Sequence, residues 1–343
     1  MMRLLNTLYV TSYGAYLSKD GDNVVVSVDR EEKLRVPIHI LGSIVCFGNT
    51  LCTPFLLGLC GEHHLTVSFL SENGRFLGRV HGPVHGNVFL RRQQYRRADD
   101  LEFSARVARL IVIAKIANCR TVLLRAARDR PDLDVSQQLT VAAGRMIDIA
   151  QGIDPSTSLD SVRGAEGMAA SAYFGVFDHL ITVQKEDFYF RNRSRRPPLD
   201  RMNALLSFLY TLLTHDVVSA LEGVGLDPAV GFLHRDRPGR PSLALDLVEE
   251  LRPVLADRLA LALVNRRQLA ASDFKVTESG AVSMNDEARK TLLVSYQERK
   301  REELMHPFLK EKIAVGLLPH AQALLLARYL RGDLDDYPPF FWK

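Results

Sequence analysis

The apolar residues of this chain change their period part-way along, and that change decides most of what the chain can fold into. Up to about residue 92 they come in short runs rich in Val, Ile, Tyr and Phe, at 4–10, 24–28, 34–40, 44–47, 65–70 and 76–80. Turn-forming stretches separate them, Lys19-Asp20-Gly21-Asp22-Asn23 and Glu72-Asn73-Gly74-Arg75, so this part reads as strands and hairpins with one short helix over 53–60. From about Asp99 the spacing turns helical, as in Leu101, Ala105, Ala108, Ile111 and Val112. Helices are expected near 99–129, 135–152, 158–181, 200–223, 243–265, 286–304 and 308–332, with a hairpin over 274–284 as the β signal among them. Strands first and helices afterwards predict an α+β chain of two domains rather than an alternating α/β sheet. The expected organisation is a β-rich domain over 1–92, a basic linker over 93–98 and a larger, mostly α-helical domain over 99–343. Arg91, Arg92, Arg96 and Arg97 cluster at the switch.

Composition narrows the class. With 343 residues, 47% hydrophobic and 24% charged, the chain can bury a sizeable core, which excludes a largely disordered protein and a disulfide scaffold. No stretch approaches the roughly 20 uninterrupted apolar residues of a spanning helix. The opening segment shows strand-like alternation without an apolar leader or cleavage site, so a cytoplasmic location and no membrane partner are expected. Cys46, Cys52, Cys60 and Cys119 form no C-x-x-C pair. Cys60 with His63 and His64 admits a zinc site, against the plainer reading of small thiols inside packed elements.

Three stretches carry chemistry. Leu159, Val162, Ala169, Ala170 and Tyr173 define an apolar helical stripe, and Glu166 falls on it, four residues after Val162. A carboxylate there costs several kcal/mol in desolvation unless it binds a metal or pairs with an arginine at the rim. His234 follows Gly231-Phe-Leu and precedes a loop bearing Arg235, Arg237 and Arg240; Ser242 is the expected cap of the next helix. Asp246, Glu249 and Glu250 share a face of that helix, either as a solvated acidic face or as ligands, and Pro253 ends or kinks it. Glu166, His234 and one carboxylate of the 246–250 group make an N/O site that suits Mg²⁺ or Mn²⁺, with the nitrogen leaning towards Mn²⁺. Such an ion activates an oxygen nucleophile and neutralises charge on a phosphoryl group.

The third stretch is basic and aromatic. Arg191, Arg193, Arg195 and Arg196 follow Phe188, Tyr189 and Phe190, the pairing that nucleic acid binding uses, although a solvated loop looks the same. Asn203, Ser207 and Tyr210 then form a polar line on a long apolar helix, pointing at the same site or packing against a neighbour. His215-Asp216 admits a metal phosphohydrolase acting on small phosphate esters, without convincing further ligands. A DNA-binding scaffold without chemistry is a third reading. The closing aromatic tail, ending Phe340-Phe341-Trp342-Lys343, is expected to dock on the helical domain.

Arg163-Gly-Ala-Glu-Gly, Arg195-Arg-Pro-Pro-Leu-Asp-Arg-Met-Asn-Ala-Leu-Leu-Ser, Gly231-Phe-Leu-His and Ser242-Leu-Ala-Leu-Asp-Leu-Val-Glu-Glu-Leu-Arg-Pro together resemble the CRISPR-associated integrase family (Cas protein one), in order and spacing and over nearly the whole chain. The wording is similar to the type I-C form. The resemblance implies an endonuclease and integrase that inserts short DNA fragments as new spacers by 3′-hydroxyl attack on a phosphodiester. It implies an N-terminal dimerisation domain and thus a homodimer. It also implies the small second CRISPR-associated acquisition protein and DNA (fragment and repeat) as partners. The metal and catalytic residues it implies are Glu166, His234 and Glu249, with Asp246 orienting a ligand or water and Arg252 reaching the reacting phosphate. Asn203 and Tyr210 are candidate supports. Arg91, Arg92, Arg96, Arg97, Arg191, Arg193, Arg195, Arg196, Arg235, Arg237 and Arg240 are the candidate DNA contacts.

Overall fold

A computed structural model describes residues 6–72, 74–80, 82, 88–130 and 132–342. Part of the strand expected over 4–10, and Asn73 of the second hairpin turn, lie outside the described residues. The chain divides into two compact units, 1–85 with 284–302, and 86–283 with 303–343.

The first unit holds two four-stranded sheets. Strands β1 (Asn6–Val10), β5 (Leu41–Phe47) and β7 (Thr66–Leu70) run parallel in the order β1-β5-β7, and β8 (Phe76–Val80) adds antiparallel beside β7. The other sheet is a meander of β2 (Tyr16–Asp20), β3 (Asn23–Val28) and β4 (Glu31–Pro37), with β6 (Leu51–Cys52) parallel to β2. Leu17, Val24, Ile38, Ile44, Leu56 and Val67 are fully buried in its core, and helix α1 (Pro54–Glu62) joins them, started by Thr53 and by Pro54 in its first turn. Cys46 and Cys60 are buried in the same core, as small apolar thiols are.

The second unit is helical. Its elements are α2 (Val88–Asp99), α3 (Leu101–Arg128), α4 (Leu133–Gln151), α5 (Leu159–Gly175), α6 (Arg201–Gly223), α7 (Ser242–Arg252) and α8 (Arg258–Asn265), with α10 (Leu318–Arg331) near the end of the chain. Asp100, Asp132, Ser158 and Asp200 each cap the helix that follows by accepting backbone N–H bonds. Helix α6 is apolar and long enough to cross a membrane by composition alone, but most of it is buried within the described residues.

Three expectations change. The basic segment over 93–98 is not a linker but the body of α2, because Leu90 and Gln94 bury on one side. Gln94 Nε2 donates to the carbonyls of Asp227 and Val230, both at 2.8 Å, and Gln94 Oε1 accepts from Asp227 N. Helix α9 (Asp286–Arg301), placed by its sequence position in the helical domain, belongs to the first unit, where Gln297 reaches the Thr7 carbonyl. The helix expected over 308–332 starts only at Leu318. Before it runs a second small hairpin, β11 (Glu303–Met305) with β12 (Lys312–Ala314), in addition to β9 (Phe274–Val276) with β10 (Val282–Met284). Pro319 sits in the first turn of α10, where a missing N–H costs nothing.

Candidate active site

Helices α3, α5 and α7 bring three charged side chains to one point. Lys115 on α3 is 1% exposed, and its ammonium contacts Glu166 Oε1 on α5 and lies 2.7 Å from Glu249 Oε2 on α7. Lys115 lies four residues after Ile111 on the apolar stripe of α3, the same irregularity that singles out Glu166 on α5. Arg252, one turn on from Glu249, pairs with that carboxylate at 3.3 Å. Burial raises the Glu249 carboxyl, but Arg252 and then Lys115 outweigh it and hold it at about 2. Arg252 is itself buried, with its guanidinium over the rings of Tyr210 and Phe174. It therefore does not reach out to a phosphate as expected, but holds Glu249 from behind.

His234 sits on the loop before α7, and Asp246 fixes it there. The Asp246 carboxylate is fully buried and accepts from Phe232 N, Leu233 N and His234 N, and it faces His234 Nδ1 at 2.7 Å. Four donors occupy both its oxygens, so Asp246 is engaged by the loop rather than open to an ion. The imidazole is left with Nε2 for other partners. Gly231 is required for this approach, because a Cβ there would lie 2.8 Å from Asp246 Oδ2 and 2.9 Å from Leu243 N. Ser242 does not cap α7; its hydroxyl donates to the Arg235 carbonyl, and the Pro228 carbonyl receives the first amides of the helix. Arg163 on α5 ties the loop to that helix through the Leu233 carbonyl at 2.7 Å, and also pairs with Asp160 one turn back on α5 at 2.8 Å. Helix α7 passes into a single π turn at Pro253–Asp257, where proline removes an N–H, and then into α8.

The mouth of the site is a cleft of about 460 Å³ lined by Asp160, Arg163, Glu166, His234, Arg237 and Arg240, among others. Arg235 and Arg237 are exposed and Arg240 is half-buried. Arg191, Arg195 and Arg196 are exposed, but Arg193 turns inward. It donates to Asn203 Oδ1 at 2.6 Å and Ser207 Oγ at 3.0 Å, and lies over the Tyr210 ring. The polar line of α6 therefore holds the basic loop in place. Asn203 Nδ2 binds the Asn192 carbonyl, and Tyr210 donates to Asp257. On α2, Arg92 and Arg96 are exposed while Arg97 stacks over Phe103, and Arg91 is half-buried.

Glu250 faces the other way from Glu249. It is buried and accepts from Tyr337 Oη, Phe340 N and Gln322 Nε2, so it docks the closing aromatic tail onto α7. Burial pushes its carboxyl up to about 7. Trp342 lies under the guanidinium groups of Arg125 and Arg258.

Among the described residues, no three His, Cys, Asp or Glu side chains converge closely enough to hold an ion by themselves. That holds equally for the cysteine and histidine group of the first unit and for His215-Asp216. At Glu166 and Glu249 the two carboxylates do converge, and a cation already stands between them. The donor types fit a hard divalent ion: carboxylate oxygens from two helices and an imidazole whose other nitrogen is held.

Comparison with known proteins gives the same direction. The family model for the CRISPR associated protein Cas1 matches residues 8–298. The chain is 56% identical to the CRISPR-associated endonuclease Cas1 1 of Chlorobaculum tepidum, with all of both chains covered, and 57% identical to the CRISPR-associated endonuclease Cas1 2 of Rhodospirillum rubrum, again over the whole of both. A solved CAS1 protein from Thermotoga maritima superposes with a TM-score of 0.82 at 25% identity, covering 96% of this chain and 97% of that one.

Proposed function

This chain belongs to the CRISPR-associated Cas1 family, and from that premise we propose a metal-dependent DNA endonuclease and integrase that joins short DNA fragments to a CRISPR array as new spacers. The observation that carries this reading is the convergence of Glu166 and Glu249 on one cation beside an anchored His234, under a mouth of arginines. Glu166, Glu249 and His234 would hold Mg²⁺ or Mn²⁺, which when bound supplies a Lewis acid for the phosphoryl group and a charge that activates an oxygen nucleophile.

The chain's own residues do the rest. Asp246 fixes the loop and the imidazole so that His234 keeps one orientation. Arg163 ties the same loop to the helix that carries Glu166, linking the supports of two candidate ligands. Arg235, Arg237 and Arg240 supply positive charge at the mouth for phosphates flanking the reacting one. Attack by a 3′-hydroxyl forms a new phosphodiester as the old P–O bond of the target strand breaks; attack by water cuts that strand instead. The first unit serves as the dimerisation domain of a homodimer, and the small second acquisition protein and DNA are the partners in this reading.

Strand joining tests it. Wild type, His234→Ala and Glu166→Gln are incubated with a short 3′-overhang duplex, a supercoiled repeat-bearing plasmid, the small partner and Mn²⁺ or Mg²⁺. The expected result is joining by wild type alone, abolished by chelator. Joining that survives both substitutions would remove these residues from the chemistry.

A further inference from the structure

Lys115 takes no part in the proposed reaction, yet it stands at the centre of the site. We infer that Lys115 is a tethered counter-cation that competes with the divalent ion for Glu166 and Glu249, so that ion loading depends on DNA. The inference rests on the metal reading above and concerns this chain's own residue within it.

The charge balance carries the argument. Glu166 and Glu249 bring two negative charges, and Lys115 and Arg252 bring two positive ones, each in contact with a carboxylate. Lys115 and Arg252 are 1% and 5% exposed, so neither charge is relieved by water. The four charges thus balance as they stand, with Lys115, Glu249 and Arg252 buried and Glu166 half-buried at the cleft, which is how such groups are kept without a large desolvation penalty. A divalent ion added to these four leaves a surplus of positive charge, which the buried Asp246 carboxylate behind His234 offsets only in part, in a partly desolvated place where repulsion is weakly screened. A phosphodiester at the mouth brings one negative charge, and the attacking step develops another. The same surplus that opposes ion binding alone therefore favours the ion and the DNA together, and is greatest in the service of the charged transition state. The packing fits this role. Lys115 holds one oxygen of each carboxylate from the core side, whereas Glu166 opens towards the cleft that His234 lines. Without Lys115, two carboxylates would face each other across a site with no ion in it.

Mn²⁺ binding, read from the electron paramagnetic resonance signal of free Mn²⁺, tests the inference without relying on turnover. Titrations use the full chain with and without a short 3′-overhang duplex, for wild type, Lys115→Met, Lys115→Gln and Lys115→Arg, with Glu166→Gln as the control for site-specific binding. The expected wild-type result is weak binding alone and binding about ten-fold tighter or more with DNA, a factor that corresponds to one tenfold step in an equilibrium constant. Lys115→Met and Lys115→Gln should bind Mn²⁺ at least about ten-fold tighter than wild type without DNA, and should gain less from DNA. Lys115→Arg, which keeps the charge, should remain weak. Mn²⁺ affinity that is unchanged or lower in both neutral variants overturns the inference while leaving the metal site in place. A wild type that binds Mn²⁺ equally with and without DNA overturns it too, whether or not the variants fold. A wild type that binds no Mn²⁺ even with DNA removes the metal reading itself, and the inference falls with it.

Discussion

At the scale of single residues, the interior of the helical unit is a set of buried charges whose partners are specified one by one. Asp246 is the clearest case, with three backbone amides and an imidazole nitrogen on its two oxygens. Asp246→Asn puts an amide N–H₂ against those donors, so His234 loses its anchor. Activity should fall about 10–100-fold, the usual cost of removing a group that orients a ligand, with a normal circular dichroism spectrum. A pair farther from the site makes a prediction about pH. His306 is fully buried, its Nδ1 accepts from Phe308 N and Leu309 N, and its Nε2 faces Gln322 Oε1 at 3.0 Å. Those bonds require the neutral ring, and burial lowers its pKa despite the Gln322 bond. The unfolded chain then takes up the proton first, so His306 costs stability as pH falls below about 6.5. Glu250 works in the opposite sense. Its pKa is raised to about 7, so the folded state holds a proton that the unfolded state releases above about 4.5, and stability is gained as pH falls through that window. The two should partly cancel in wild type. Between pH 7.5 and 5.5, thermal melting of Glu250→Gln should show a steeper loss on acidification than wild type, and His306→Gln a shallower one. Parallel curves for all three proteins would show that neither group titrates in this range.

At the scale of elements, α7 is the piece around which the unit is arranged. Its first turn receives the His234 loop, Glu249 meets Lys115, Arg252 braces Glu249, and Glu250 takes the tail. Deleting residues 335–343 should leave the Glu250 carboxylate buried without Tyr337 and the Phe340 amide. A stability loss of about 3–5 kcal/mol is expected by denaturant unfolding, the range for stripping partners from a buried charge. A loss below about 1 kcal/mol would mean that the tail only covers the surface. Much of this was legible in the sequence, for physical reasons. Glu166 announced itself because a charge on an apolar stripe must have a reason, and the helices α3 to α6 and the hairpins of the first unit followed from period and turn chemistry. Lys115 obeys the same rule as Glu166, four residues after Ile111 on an equally apolar helix, but its long stem makes a lysine easy to read as lying at the rim. Arg193 could not be told from Arg191 or Arg195, since nothing local says which arginine turns towards Asn203 and Ser207. The switch segment read as a linker because four arginines hide the two positions, Leu90 and Gln94, that bury. The placement of α9 in the first unit depends on contacts between residues almost three hundred positions apart, which no local period carries.

At the scale of the whole molecule, a net charge of +4 is too small to carry the proposed DNA binding by bulk attraction, so that proposal rests on placement. The structure divides the arginines into those that are exposed at the cleft or on the basic loop and those spent inside. Each arginine that neutralises a phosphate releases about 0.9 of a counterion on duplex DNA, and so adds that much to the slope of log K against log salt. Arg235→Ala with Arg237→Ala should therefore flatten the slope by about 2, and Arg195→Ala with Arg196→Ala by a similar amount if both loops lie on the DNA path. Arg193→Ala makes the contrasting case. Its guanidinium holds Asn203 and Ser207, so its loss should lower the melting temperature and disturb the 191–196 loop while the salt slope changes by less than that of any exposed pair. Fluorescence anisotropy with a 3′-overhang duplex across a range of salt concentrations separates the two kinds of effect. A salt slope unchanged by the Arg235 and Arg237 substitutions would place the DNA away from the mouth of the cleft, and with it the phosphate that Glu166, His234 and Glu249 are proposed to act upon.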